Sequence, residues 1–348
     1  MNSLFRTISI VFLLIGLANC KGSEDEPKTN IADSGIYVLV NNPIVSVSNP
    51  AILEGAVKLW HNNALTNISA SGADYYLASG LFVDGNDTYI VGYNASTGMA
   101  VYWKNKTLVT LSTLGNSKGL AICVSNGDVY VAGNTSYGGK TYARYWKNGV
   151  ITNLTTGKYV AAATSIIVSN NDIYVAGYEY NSSTINIAKY WKNGAEFSLT
   201  DGTYSAKVEA MALSGTDLYI AGYERNSSGS KVAKYWKNGN AVSLSNGNYD
   251  AEISSIFIDG NDVYMAGYEG TQYTPRIAKY WKNGIGTTVT NSRNLSEALS
   301  IIVKNSDVYI AGEEHNGTAS VAKYWKNGTE IILASGGADA VAQTIFVK

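Results

Sequence analysis

The chain has 348 residues, with 26 Lys+Arg against 27 Asp+Glu, a formal net charge of −1 and only 15% charged residues. That balance excludes a disordered polyampholyte and a nucleic-acid binder resting on bulk positive charge. The 35 Gly, 26 Tyr and 7 Trp, set against 2 His and 4 Pro, suit short strands joined by tight turns and leave little for His-based catalysis or a His-rich metal site.

Residues 1–19 read as a signal peptide: Arg6 precedes an apolar run from Ile8 to Leu17 that is too short for a permanent membrane span. The run ends in Leu17-Ala18-Asn19-Cys20, which resembles the lipobox of bacterial lipoproteins. The resemblance implies that Cys20 is lipidated and becomes the mature N-terminus, so that the membrane is reached through the lipid. Residues 20–34 then form a flexible acidic tether containing Ser23-Glu24-Asp25-Glu26. Lys21, where an Asp marks inner-membrane retention in such lipoproteins, implies the outer membrane. The acidic cluster resembles a surface-export signal, with a periplasm-facing orientation as the alternative. With Cys20 acylated, Cys123 has no second Cys to bridge, and no disulfide framework is expected.

From residue 35 onward the chain repeats. Trp occurs at 60, 103, 146, 191, 236, 281 and 325, at intervals of 43 to 45 residues. A fixed period of this size marks propellers and solenoids. Around the Trp the text recurs as Ala143-Arg144-Tyr145-Trp146-Lys147-Asn148-Gly149 and Ala188-Lys189-Tyr190-Trp191-Lys192-Asn193-Gly194, and an Asp-x-Tyr recurs at Asp87, Asp128, Asp172, Asp217, Asp262 and Asp307. One unit predicts four strands, here labelled A to D. In the sixth unit these are Ser254–Ile258, Val263–Tyr268, Ile277–Lys282 and Ile285–Val289. The last residues, Phe346-Val347-Lys348, match a strand A with no unit behind it, and Gly35-Ile36-Tyr37 begins at strand B. The reading is therefore an all-β, seven-bladed β-propeller over 35–348, with four-stranded antiparallel blades closed by the C-terminal strand. The repeat resembles bacterial extracellular repeats of the HAF type, with Leu111-Ser112-Thr113-Leu114-Gly115 the nearest local match, and more loosely kelch units. Both resemblances imply a propeller and neither implies a reaction.

A residue present in every blade is first explained by packing, which assigns the seven Trp to inter-blade core. The Asp of Asp-x-Tyr is expected to cap its own turn. Asp84-Gly85-Asn86-Asp87 lacks the further ligands of a calcium loop, so no metal is expected there. Glu179, Glu224, Glu269 and Glu314 accompany Lys189, Lys234, Lys279 and Lys323, predicting an ion pair across the B–C hairpin; blades 2 and 3 carry Asn94 with Val101 and Asn134 with Arg144 instead. Cys123 aligns with core positions of strand A and reads as a buried small hydrophobe.

Function is expected on the rim built from the B–C and D–A connections, which vary while the other turns do not. Tyr137, Tyr142, Tyr180, Tyr273, Tyr75 and Tyr76 are the candidate partner-binding residues there. Tyr159, Tyr204 and Tyr249 share one repeat offset and are open to a scaffold role. The segment Asn41 to Gly55, with Pro43 and Pro50, is either a partner-binding lip or a cover for the closure seam. Glu252 and Glu297 edge the axis, as solvated carboxylates or a cation site. Without an Asp box, a His constellation, zinc spacing or a phosphate loop, the chain reads as no enzyme and as needing no cofactor. It reads as a monomeric, lipid-anchored binding module with an unknown glycan or protein ligand. An envelope-assembly scaffold and a carboxylate-only hydrolase are the alternatives.

Overall fold

Each repeat turns back on itself at Asn-Gly because both residues accept left-handed backbone: Asn148 and Gly149 sit at φ 49° and 82°, as a two-residue hairpin requires. In the computed structural model, which describes residues 35–45, 53–69, 74–112, 115–270, 275–290, 294–334 and 339–348, these hairpins build seven four-stranded antiparallel sheets. Blade 1 takes its strand A from the C-terminus: Val341–Val347 pairs with Ile36–Val45, and Leu53–His61 and Ala64–Asn67 complete the sheet. Strands A of blades 2 to 7 are Tyr76–Asp84, Asn116–Ser125, Ala161–Ser169, Ala206–Ser214, Asp250–Asp259 and Ser296–Lys304. Each lies against the strand A of the next blade, and Val341–Val347 touches both the seventh and the second, so the ring is closed. Residues 1–34, where a signal peptide, lipidated Cys20 and a tether are expected, lie outside the described residues.

The core is seven blade interfaces with no single centre. All seven Trp are buried, and those of blades 5 to 7 share a cluster with two alanines of the preceding blade. Trp236 lies in one cluster with Ala176 and Ala188, Trp281 with Ala221 and Ala233, and Trp325 with Ala266 and Ala278. A large ring fills the space that two methyl-sized neighbours leave, which accounts for Ala both in Ala-Gly and in Ala-x-Tyr-Trp. Cys123 is fully buried in the blade 2–3 interface.

The Asp of Asp-x-Tyr does not cap its own turn. Asp128 Oδ1 accepts from Asn148 Nδ2 at 2.7 Å and Oδ2 pairs with Lys147 at 2.7 Å, while Asn148 Oδ1 accepts the Val129 N–H. The same box recurs in blades 2 to 7, so Asp ties the A–B turn to the C–D turn and explains why Lys-Asn follows each Trp. The predicted Glu–Lys pairs form across the B–C hairpin at Lys189–Glu179 (2.7 Å), Lys234–Glu224 (2.5 Å), Lys279–Glu269 and Lys323–Glu314 (2.9 Å).

Strand A departs from regular pairing in every blade. One residue bulges out of the ladder with strand B: Ser79, Leu120, Thr164, Glu209, Ser254, Leu299 and, in blade 1, Gln343. In blades 2 to 7 a Gly stands opposite the bulge, after Val91 in blade 2 and after Ala in the others. A Cβ at Gly92, Gly133, Gly177, Gly222, Gly267 or Gly312 would lie 1.8–2.1 Å from a strand A carbonyl oxygen. Only glycine allows that approach.

Candidate functional site: the axial mouth and the loop rim

The residue before the bulge pair in each strand A and its partner on strand B share one height, so the register alone places them in a ring at the rim end of the axis. Blades 2 to 7 contribute Leu77 with Tyr93, Lys118 with Asn134, Ala162 with Tyr178, Lys207 with Tyr223, Glu252 with Tyr268 and Glu297 with Glu313. The ring has two halves. In blades 2 to 4 it carries no carboxylate, and Leu120, Ala162 and Tyr178 pack together. Lysine ammonium groups lie over tyrosine faces there, Lys118 over Tyr93 and Lys207 over Tyr178, each at 4.7 Å.

In blades 5 to 7 the ring is ionic. Lys231, at the start of strand C in blade 5, reaches Glu252 of blade 6 at 2.5 Å, and Tyr268 donates to the same carboxylate oxygen at 2.9 Å. One repeat further on, Arg276 reaches Glu297 of blade 7 at 2.6 Å and stacks on Tyr268 at 4.6 Å. Both pairs cross a blade boundary. Beneath them the bulge residue Glu209 is 3% exposed, hydrogen-bonds to Glu252 and leaves Oε2 with no protein partner. Burial, and then the charge of Glu252, hold its carboxyl well above the ordinary range, against the pull of Lys207 and Lys231. Burial also raises Glu297 despite Arg276, and pushes Glu313 up to about 7. Tyr223 and Tyr268 are raised first by burial and then by Glu252.

Glu252 and Glu297 are thus neither solvated loop carboxylates nor open ligands, because Lys231 and Arg276 already hold them. Among the described residues no three His, Cys, Asp or Glu side chains converge as a metal would require. Lys231, Arg276, Glu209 and Glu313 were not singled out from the sequence. The signal lay in matching repeats: Lys231 and Arg276, like Glu252 and Glu297, stand 45 residues apart.

The candidate tyrosines do not form one patch. Tyr137 is 61% exposed at the end of strand B in blade 3. Tyr142 is half-buried with its ring on Gly157, where an added Cβ would come within 2.5 Å of it. Tyr180 and Tyr75 flank the mouth: Tyr180 lies 6.2 Å from Tyr178, and Tyr75 sits close enough to Tyr93 to raise it further after burial. Tyr76 is a core residue. It is only 9% exposed, its ring meets Trp103 edge-on at 5.3 Å, and it offers no face to a partner. Tyr273 lies outside the described residues. Tyr204 and Tyr249, open to a scaffold role by their shared offset, are instead 40% and 51% exposed. Of the segment Asn41 to Gly55, both flanks are a paired hairpin in which Asn41 faces Val57 and Val45 faces Leu53. Residues 46–52 lie outside the description.

No protein family and no curated protein matches the sequence. Solved structures match the fold. A puromycin-hydrolyzing peptidase of Mycobacterium tuberculosis aligns with a TM-score of 0.58 at 10% identity, over 85% of this chain and 53% of its own. A puromycin hydrolase aligns with 0.58 at 9%, over 87% and 52%. The chain therefore spans about half the length of these two proteins. The β-propeller domain of the Trilobed protease from Pyrococcus furiosus, described as having an open velcro topology, aligns with 0.54 at 11%, over 87% and 93%. At this identity the likeness shows the fold alone. It nevertheless corrects the reading of the chain as no enzyme. The same propeller plan occurs in two hydrolases and a protease, so the lack of familiar motifs in this sequence does not separate binding from hydrolysis.

Proposed function

We propose that the chain is a lipid-anchored, extracytoplasmic propeller that engages a glycan on its loop rim. The observation that carries this reading is the exposure of Tyr204 and Tyr249. Both occupy a repeated position, 45 residues apart, where packing would explain a tyrosine; yet 40% and 51% of their surface faces water. Rigid, separated aromatic faces set among polar residues such as Asp201, Thr203 and Asn248 suit the apolar faces and hydroxyls of sugars. Exposed Tyr137 stands apart from them on blade 3 and offers a further separate aromatic face.

Two measurements test the reading. On a glycan array, the Y204A/Y249A variant is expected to bind at least about tenfold more weakly, roughly 1.4 kcal/mol, with Tm within about 2 °C of wild type, as surface changes allow. Equal loss of binding and of Tm would return both tyrosines to the scaffold. Chromatography of the bound glycans after incubation reads turnover in the same samples. Protease shaving of intact cells should release residues 35–348 by cutting at 20–34. Protection until the outer membrane is broken would overturn surface exposure and favour the periplasmic scaffold.

A further inference from the structure

Two residues before each Trp the blades carry Lys58, Val101, Arg144, Lys189, Lys234, Lys279 and Lys323. In blades 4 to 7 the lysine has its Glu, and Lys58 donates to Asn42 Oδ1 at 3.1 Å. Blade 3 differs. The register puts Thr135, not Asn134, at the acceptor position, and the Thr135 hydroxyl is already engaged by Ser117 at 3.0 Å. Strand D carries Ile151 where blades 4 and 7 offer Glu196 and Glu330.

Arg144 is 7% exposed, and its Nε is buried without a hydrogen-bond partner. The Tyr142 ring lies 5.3 Å from the guanidinium, and no described carboxylate approaches it. Burial disfavours the charge, but a guanidinium keeps its proton inside proteins. A guanidinium whose Nε is buried without a hydrogen-bond partner carries a desolvation cost that an apolar side chain of similar size would remove. Rules broken without local compensation mark sites where a ligand completes the arrangement. Here the missing partner is an anion. A planar guanidinium matches one carboxylate through two parallel hydrogen bonds. Tyr142 is fixed beside it by Gly157, so one flat aromatic ring borders the charge.

We propose that Arg144 and Tyr142 form a carboxylate subsite for an acidic sugar, a hexuronate unit of the glycan held on the rim; the choice of sugar rests on the glycan reading above. The test uses the full chain with galacturonate, galactose and N-acetyl-glutamate amide at matched ionic strength, measured by calorimetry. Galacturonate is expected to bind wild type at least about tenfold more tightly than galactose, in line with charge-assisted bonding. R144Q should erase that difference, and R144M should keep or raise Tm, separating loss of binding from loss of fold. Equal galacturonate affinity in wild type and R144Q overturns the subsite. Preference for the glutamate derivative overturns the sugar and assigns an acidic peptide. Galactose binding as tightly as galacturonate removes the carboxylate subsite while leaving the rim reading intact. If neither sugar binds, the subsite falls, and the array with Y204A/Y249A judges the rim reading by itself.

Discussion

Trp191→Ala will lower the stability of the propeller by about 3–5 kcal/mol. Trp191 is fully buried in a cluster that spans blades 3 and 4, with Ala132 and Ala143 from blade 3 and Ala161, Ala163 and Ile166 from blade 4. None of these neighbours can extend into the vacated volume, because the facing residues are mostly alanines on paired strands. The cavity term therefore adds almost in full to the lost transfer energy. A ring amplifies the damage, since a blade interface that opens also strains the closure made by Val341–Val347 on Ile36–Val45. Calorimetry should show Tm lowered by roughly 6–15 °C, against no more than about 2 °C for Y204A/Y249A. A loss below about 1 kcal/mol would mean that the interface repacks and that the Trp series is not what holds the blades together.

The ring was legible because its determinants are local and repeat: Trp spacing counts blades, Asn-Gly marks a hairpin, and an unpaired strand at each end implies closure. Two features were not legible, for physical reasons. The bulge hides in strand A because an extra residue breaks the two-residue alternation that identifies a strand. The sixth strand A accordingly reads as Ser254–Ile258, although it begins at Asp250. The only trace of the bulge is the Gly of Ala-Gly on the other strand. The mouth hides because its ion pairs join different blades, with Lys231 to Glu252 and Arg276 to Glu297 each 21 residues apart across a boundary. The expected local cap at Asp128 fails for a related reason. Its partners, Lys147 and Asn148, are distant in sequence and come near only when the C–D turn folds against the A–B turn.

Lys231→Met will cost about 3 kcal/mol at pH 8, and most of that loss will disappear by pH 5. In the wild type the ammonium lies between carboxylates of two blades, 2.5 Å from Glu252 and attracting Glu209 beneath it. Removing it takes from Glu209 one of the two lysines that pull its carboxyl down, so burial and Glu252 raise Glu209 further. The sign follows from the direction of the shifts. A carboxyl whose folded pKa is raised contributes stability that is fully present below its unfolded value near 4.5, and that is lost as pH rises through the folded value. For Glu313 that window runs from about 4.5 to about 7, so the wild type also loses stability across it, by on the order of 3 kcal/mol at most, and E313Q should flatten that part of the curve. Asp128, Asp172 and the other turn aspartates act in the opposite sense. Lysine and asparagine depress them, so their contribution is lost only below about 3.8 and leaves the window untouched. Tm measured from pH 4.5 to 8 on wild type, K231M and K231M/E252Q decides the matter. The double variant should recover at pH 8, because the glutamine removes the charge that Lys231 had balanced. A K231M deficit independent of pH, and unrelieved by E252Q, would show that Lys231 acts through its ammonium over the Tyr223 ring, 4.4 Å from the centroid, and that no proton is at stake in the mouth.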